Sequence, residues 1–363
     1  MRRFFCPIAV LVFFVMLPGT AAAAPCNDCH TIHNSQDGQP MRFDSNSQPL
    51  PLLLRGGCIE CHTGVNIPTM DRPNVNSSSP PTYSWGNAAG SGNNTLAGGS
   101  FYYVTTDDSF GHNVRENSAA GVDTLLGDIP PGGTALSPDG FPSPLLQCAG
   151  QNGCHGDVAV STIPLNSLNG AHHINETGAA IDGSTVAKSY RFLKGVLGWE
   201  DADWEYSSSS TDHNRYVGQD RTLVTQIDPS TISGFCAGCH DDFHNTNSGG
   251  ARVGIGYNNT FASPWLRHPN DYDLADLPAA TDYASFTTYD TRVPVARTTG
   301  TLSSGAASAV GNDQGIIMCL TCHRAHGSPY HASLRWNYRA WPGNDLLTGT
   351  RQDGCQICHT SKN

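Results

Sequence analysis

Six pairs of cysteines in this sequence are each followed directly by a histidine. In five pairs two residues separate the cysteines, and in the sixth pair five residues do. The five regular motifs are Cys26/Cys29/His30, Cys58/Cys61/His62, Cys236/Cys239/His240, Cys319/Cys322/His323 and Cys355/Cys358/His359, and the sixth is Cys148/Cys154/His155. At the shorter spacing, two thiols can add across the two vinyl groups of one haem while the histidine supplies an imidazole to its iron. The pattern predicts covalent attachment of six haem c groups.

Two other uses of the cysteines explain the pattern less well. An exported chain rich in cysteine forms disulfides by default, but a disulfide framework does not require a histidine after every second cysteine. Chance placement of all six histidines has a probability of roughly 10⁻⁸. Zinc sites pair one C-x-x-C with a second pair of ligands. For the longer motif, a disulfide or a haem held by Cys154 alone stays an alternative to a sixth haem.

Nine further histidines could supply the second axial ligand of an iron: His33, His112, His172, His173, His213, His244, His268, His326 and His331. Methionine is too scarce to serve generally, so histidine on both sides of the iron and a low reduction potential are expected. His33 and His326 stand three residues after a motif histidine, and His244 stands four after one, so each shares a helix face with it. We expect these three to ligate a neighbouring haem, because they cannot reach the far face of their own.

The predicted distal ligands are His33, His112, His244, His268, His326 and one of the adjacent pair His172 and His173. The other member of that pair, together with His213 and His331, is expected to be a solvated loop residue or a partner of a haem propionate. No catalytic residue is predicted.

The first 23 residues have the order of a secretory signal peptide. Arg2 and Arg3 precede an apolar run over residues 4–17, and small residues precede a predicted cleavage site after Ala23. No later run approaches the length of a membrane-spanning helix. Without the two leader arginines the formal charge of −11 becomes about −13, which disfavours nucleic acids and anionic membranes as partners. We expect an exported protein at the outer surface, outside the cell or in the periplasm.

The composition predicts a loop-rich chain. It contains 39 glycines and 23 prolines, whereas charged residues make up 14%. Mostly irregular structure with short helices and a few short strands is therefore expected. Because six haems would supply much of the buried apolar area, we expect one haem-organised unit over residues 24–363. Locally, residues 101–106 predict a strand, residues 187–199 predict a helix, and each cysteine motif predicts a short helical turn.

Several stretches carry a family resemblance: residues 26–35, 236–245, 266–269 and 319–327, and the C-terminal motif with His359. They resemble the filament-forming hexahaem outer-surface cytochromes (OmcS type, cytochrome nanowires) of metal-reducing bacteria. The resemblance implies haems stacked in a continuous chain along a polymer, in alternating parallel and T-shaped pairs, with little regular secondary structure. It also implies that His33 ligates a haem of the next subunit.

The sequence departs from that family between residues 148 and 222. The third motif is stretched, no histidine stands three residues after it, and Ala171-His172-His173 occurs instead. Residues 189–216, which include Asp212-His213-Asn214, look more like other multihaem cytochromes of the same bacteria. The resemblance therefore does not define the surroundings of the third haem.

These features favour extracellular electron transfer through six bis-histidine haems, in a subunit of a head-to-tail filament. Redox partners and extracellular electron acceptors are the other expected partners. A monomeric electron shuttle is one alternative. A multihaem oxidoreductase with one open haem, for which the Cys148 motif is the candidate, is another, and a haem-bearing structural or adhesive surface protein is a third.

Overall fold

The computed structural model describes residues 26–83, 94–114, 130–131, 146–160, 164–172, 181–221, 227–240, 268, 270–276, 285–298, 310, 314–338, 344–345, 350–351 and 354–359. The predicted signal peptide, His173 and His244 lie outside the described residues.

Five short α-helices in the described part coincide with the regular cysteine motifs. They are α1 (Cys26–Cys29), α2 (Cys58–Cys61), α3 (Ile232–Ala237), α4 (Cys319–Cys322) and α5 (Cys355–Cys358). On one helical turn, residues three apart lie on the same face, so the two thiols of α1, α2, α4 and α5 share a face. In α3 only Cys236 is helical, and Cys239 follows the end of the helix. Hydrogen bonds at the first turn support these helices: Gly234 N donates to Thr231 Oγ1 (3.0 Å) and Met318 N to Thr321 Oγ1 (3.1 Å). None of the helices described is long and apolar enough to cross a membrane.

The strands are equally short and form two-stranded pieces. Four pairs are antiparallel: β1 (Ser35–Gln36) with β2 (Gln39–Pro40), β5 (Gly198–Trp199) with β6 (Arg215–Tyr216), β7 (Tyr272–Asp273) with β8 (Ile316–Ile317), and β9 (Asn344–Asp345) with β10 (Thr350–Arg351). The fifth pair, β3 (Gln147–Ala149) with β4 (Gly153–His155), is parallel and contains the irregular cysteine motif.

Single turns of 3-10 helix connect these pieces. They span Pro51–Leu53, Phe101–Thr105, Asp108–Phe110, Pro164–Leu168, Val186–Lys188, Tyr190–Phe192, Leu274–Asp276 and His331–Ser333. Few elements exceed five residues, so the prediction of a mostly irregular chain with short helices and strands is confirmed.

Two local predictions are wrong. Residues 101–106 form a 3-10 turn rather than a strand, because the Ser100 hydroxyl accepts from Tyr102 N (3.2 Å) and the Thr105 hydroxyl donates to Tyr102 O (2.6 Å). Such local bonds compete with strand pairing. Residues 187–199 do not form one helix, because Arg191 and Phe192 take left-handed φ angles of +50° and +57°.

Buried apolar side chains form three small clusters in the described part of the chain. Their members are Tyr190, Leu193, Val196, Tyr216, Ile232, Ala296, Ile316 and Met318 in the first, Phe286, Tyr289, Val293, Val295, Trp336 and Cys358 in the second, and Ala149, Leu168, Ala171 and Val186 in the third. Cys322 and Cys355 pack against the second cluster. The cysteine motifs are therefore held at the edges of the apolar clusters.

Gly99 is a position where only glycine fits. Its φ is +80°, and a Cβ there would lie 1.9 Å from Gly327 O. The neighbouring Gly98 carbonyl accepts from the backbone N–H of His326 (2.8 Å), so the close approach positions that histidine. We expect Gly99→Ala to lower the free energy of unfolding by more than about 2 kcal/mol, since left-handed strain adds to a backbone displacement.

The matched control is Gly170→Ala. Gly170 has nearly the same φ, +81°, but a Cβ there would meet no atom within 4 Å. This variant should be destabilised only by the roughly 1–2 kcal/mol that the left-handed conformation costs. Thermal unfolding of the two variants measures the difference, and equal melting temperatures would contradict the close-packing argument.

Candidate haem-binding sites

Four pairs of imidazoles face each other across a constant gap. The ring centroids are 6.3 Å apart for His62 and His172, 6.2 Å for His112 and His240, 6.3 Å for His155 and His326, and 6.3 Å for His268 and His359. Imidazole nitrogens bond transition metals at about 2 Å, so two rings on opposite sides of one ion place their centroids roughly 6 Å apart. The spacing fits one metal ion per pair.

Each of these pairs contains one histidine from a cysteine motif and one from elsewhere in the chain. Each pair could supply two axial ligands to an ion, and a porphyrin would provide the four nitrogens between them. The cysteines beside the motif histidines could bind such a ring covalently. The residues present therefore fit haem c at these four positions.

Backbone carbonyls orient the motif histidines through Nδ1. The contacts are His30 to Leu52 O (3.1 Å), His62 to Pro73 O (2.8 Å), His155 to Arg191 O (2.8 Å), His240 to Pro131 O (2.6 Å) and His323 to Ala332 O (2.7 Å), and His112 makes the same contact with Ala325 O (2.7 Å). A carbonyl only accepts, so Nδ1 carries the proton and Nε2 keeps its lone pair. This arrangement fixes the tautomer that binds a metal through Nε2.

The electrostatic surroundings also favour neutral imidazole rings. The pKa of His326 is lowered from 6.5 to about 3, first by burial and then by the charges of His155, His112 and His62. Burial is also the main cause that lowers the pKa of His62. These imidazoles are therefore neutral near pH 7, which is the form that ligates metals.

Three of the anchoring carbonyls belong to pairs of consecutive left-handed residues. The pairs are Leu52/Leu53, Arg191/Phe192 and Ala332/Ser333, with φ between +50° and +61°. The first carbonyl of each pair accepts from Nδ1 of His30, His155 and His323, respectively. The second carbonyl accepts from the backbone N–H of the residue after that histidine, at 2.5–2.8 Å. The same device thus occurs three times.

The left-handed conformation costs roughly 1–2 kcal/mol per residue for L-amino acids. Such strain persists where the surroundings enforce it, which is often at functional sites. Here it directs two successive carbonyls at one histidine and its neighbour. A leucine and a basic residue follow each strained pair: Leu54-Arg55, Leu193-Lys194 and Leu334-Arg335.

The anchoring carbonyls were not predicted from the sequence. Every residue type carries a backbone carbonyl, so the acceptor itself leaves no signature. The leucine followed by arginine or lysine is the one sequence signal shared by the three anchors. It stands at a different distance from its histidine each time, and so it is not visible as a fixed motif.

The irregular third motif is built on strands. Cys148 and Cys154 lie on β3 and β4, and Ala149 pairs with His155 across them. The prediction of a helical turn at every motif is wrong here, because a five-residue spacer is too long for one turn. Gly150, at φ +88°, closes the loop. The imidazole pair at this motif nevertheless has the spacing of the other three.

No disulfide joins any of the twelve cysteines from Cys26 onward, so the disulfide alternative is not what the structure shows. Burial raises the pKa of Cys358 to about 12 and is the main cause that raises the pKa of Cys61 to about 11. Both are neutral thiols near pH 7.

The remaining predicted histidines lie in different surroundings. His172, rather than His173, is the described member of the adjacent pair that faces a motif histidine. His33 and His331 are exposed, and so is the motif histidine His323. His213 is not solvated: its side chain is 1% exposed.

Residues 309–363, which hold the two C-terminal motifs, match the family model described as Doubled CXXCH motif. C-type cytochrome OmcS of Geobacter sulfurreducens is 25% identical over 369 residues, which cover 88% of this chain and 80% of that protein. The solved Outer Membrane Cytochrome S Filament from the same organism superposes with a TM-score of 0.52 at 19% identity, over 94% of this chain and 99% of that chain. The chain shares the fold of that cytochrome and resembles the OmcS-type, filament-forming c-type cytochromes.

Proposed function

We propose that this protein carries electrons outside the cell through six covalently attached haem c groups. The doubled C-x-x-C-H motif and the similarity to C-type cytochrome OmcS support haem c as the cofactor and electron transfer as the function. The observation that carries the proposal is the set of four imidazole pairs at 6.2–6.3 Å, each with a histidine from a cysteine motif. Haem, when bound, supplies a one-electron iron couple tuned by its axial ligands.

The cysteines proposed to hold the six haems are Cys26/Cys29, Cys58/Cys61, Cys148/Cys154, Cys236/Cys239, Cys319/Cys322 and Cys355/Cys358. The proposed axial pairs within the chain are His62/His172, His155/His326, His240/His112 and His359/His268. His244 is the remaining candidate to face His30. For His323 we propose His33 of the next subunit.

Consecutive motifs are neighbours in space. His62 and His155 belong to the second and third motifs, and His112 faces His240 of the fourth. All three rings are close enough to His326 to lower its pKa, so these three motifs lie near one another. Helices α3 and α4 touch, with Cys319 N donating to Ser233 Oγ (3.3 Å). The first two motifs are linked in the same way, since the Cys29 charge reaches Cys61. The last two motifs pack on one apolar cluster. These contacts support a continuous electron path through the proposed haems in the order of their motifs along the sequence.

Two histidines that face no described imidazole, His33 and His323, support a polymer. Among the described residues no second imidazole faces His323, whose ring is exposed, although its Nδ1 is anchored like those of the paired histidines. His33 is also exposed, and the neighbouring Ile32 is 84% exposed. An exposed apolar side chain beside an exposed ligand fits a surface covered by another copy. In a filament, His33 of one subunit would ligate the His323 haem of its neighbour, so both histidines would have a partner.

Closed ligation supports an electron carrier rather than an enzyme. The Cys148 motif was the candidate for an open, substrate-binding haem, yet His326 faces His155 there at the same distance as in the other pairs. Two axial imidazoles leave no position on the iron for a substrate. We therefore propose export by the N-terminal signal, a place at the outer surface, and redox proteins and extracellular electron acceptors as partners.

The first test concerns the assembly. In His33→Ala, subunits should lose the imidazole that closes the His323 haem of their neighbour. We expect monomers in place of filaments by electron cryomicroscopy, and one high-spin ferric haem per subunit by electron paramagnetic resonance.

His331→Ala is the matched control for this variant, because His331 is a second exposed histidine that faces no described imidazole. It should leave filaments and low-spin haems unchanged. Filaments of normal length in His33→Ala would exclude His33 as the intersubunit ligand.

The second test uses the adjacent histidines. His172→Ala should open the haem of His62 and produce a high-spin signal and carbon monoxide binding, because it removes the ring that lies 6.3 Å from His62. His173→Ala should leave every haem low-spin. If the two variants exchange these phenotypes, the assignment of His172 is wrong.

The third test concerns the single haem-organised unit proposed for residues 24–363. The helices at the cysteine motifs have four to six residues, far too few to be stable alone. Protein made without haem attachment should show no cooperative thermal transition by circular dichroism, whereas the holoprotein should melt cooperatively. A cooperative melt of the haem-free chain would show that the polypeptide folds without haem.

A further inference from the structure

His213 lies in a buried position that the proposed haem ligation does not use. Its ring stacks on the ring of Tyr289, with centroids 3.5 Å apart and planes 8° apart. Nδ1 lies 3.0 Å from Ser209 O and therefore carries the proton of the neutral ring. Nε2 is buried and has no hydrogen-bond partner. Buried polar atoms without a partner are uncommon in proteins, so the surroundings of this ring need an explanation.

Two neighbouring side chains have the same deficiency. The hydroxyl of Tyr289 is buried and unpartnered, and the residue is 3% exposed. Arg335, 1% exposed, donates through Nε to Leu320 O (2.7 Å), but its Nη2 has no partner. Tyr289 is close enough to Arg335 to be affected by its charge. Each such unsatisfied polar group destabilises the folded chain.

The chemistry of the missing partner follows from these groups. A tyrosine hydroxyl and a guanidinium N–H both donate, so the partner must accept. Arg297 and Arg215 lie near His213 and, after burial, help to lower its pKa to about 4. The carboxylates nearby are Glu205, which acts on Tyr289 and Arg335, and Asp212, which acts on Arg215. Burial and the neighbouring Arg324 likewise lower the pKa of Arg335. An anion would satisfy the donors and compensate the charge.

The surrounding cysteines identify the source of that anion. Tyr289 belongs to the apolar cluster that contains Cys358 and packs against Cys322 and Cys355. If haem is attached at these motifs, as the proposed function requires, haem carboxylates are the anions brought into this region. We propose that His213, Tyr289 and Arg335 form a receptor for a propionate carboxylate of a haem bound beside them.

Each residue has a separate part in this receptor. Tyr289 and Arg335 donate to the carboxylate oxygens, and the guanidinium compensates the charge. His213 holds the Tyr289 ring in place by stacking, and it gives no hydrogen bond to the carboxylate because its ring proton is on Nδ1. These are positioning roles toward the haem edge, separate from axial ligation of the iron.

The test uses Tyr289→Phe, which removes only the hydroxyl and keeps the ring stacked on His213. Holoprotein is prepared with haem made from 5-aminolevulinate labelled with ¹³C at its carboxyl carbon, so that the propionate carboxylates carry the label. Reduced-minus-oxidised infrared difference spectra of labelled and unlabelled protein then identify the propionate bands. We expect one labelled carboxylate band to shift in Tyr289→Phe and in His213→Phe.

Tyr103→Phe is the matched control, because the hydroxyl of Tyr103, also mostly buried, already donates to Pro81 O (3.2 Å). Its labelled bands should match those of the wild type. Unchanged labelled bands in fully haem-loaded Tyr289→Phe and His213→Phe would overturn the receptor and leave haem attachment intact. Wild-type protein that contained no covalent haem would instead overturn the proposed function.

Discussion

The gap between opposed imidazoles is the constraint on which the rest of the structure depends. Two rings from distant parts of the chain, such as His155 and His326, must stand with their centroids 6.3 Å apart and their Nε2 lone pairs directed inward. Two side chains at this distance do not touch, so their own contact cannot stabilise the arrangement. The surrounding backbone has to hold both rings. The Arg191 carbonyl bonds Nδ1 of His155 from a left-handed turn, and the backbone N–H of His326 donates to Gly98 O beside the glycine turn at Gly99.

This constraint explains the scarcity of regular structure. A helix or strand stabilises itself by repeating one hydrogen-bond pattern, whereas every ligand here needs its own local geometry. The apolar clusters are correspondingly small, and cysteines such as Cys358 lie within or against them. The polypeptide serves as a covering for flat prosthetic groups that bring their own apolar surface.

Much of the candidate site could be predicted from the residue types, but much of the structure that holds it in place could not. The cysteine pairs and the motif histidines are visible because covalent chemistry fixes their spacing. The choice between His172 and His173 and the burial of His213 depend on tertiary packing, which one sequence does not contain. The strained turns at Leu52, Arg191 and Ala332 were missed for a different reason, since a carbonyl acceptor is common to all residue types. The strand at residues 101–106 was predicted wrongly because hydroxyl groups of the segment bond to its own backbone.

The use of backbone carbonyls as anchors has an evolutionary consequence. The residues whose carbonyls orient His30, His155 and His323 are a leucine, an arginine and an alanine, three side chains with nothing in common. Substitution at such a position leaves the acceptor where it was, provided that the turn survives. The sequence at these positions can therefore change without moving the acceptor, which accords with a shared fold at 19% identity.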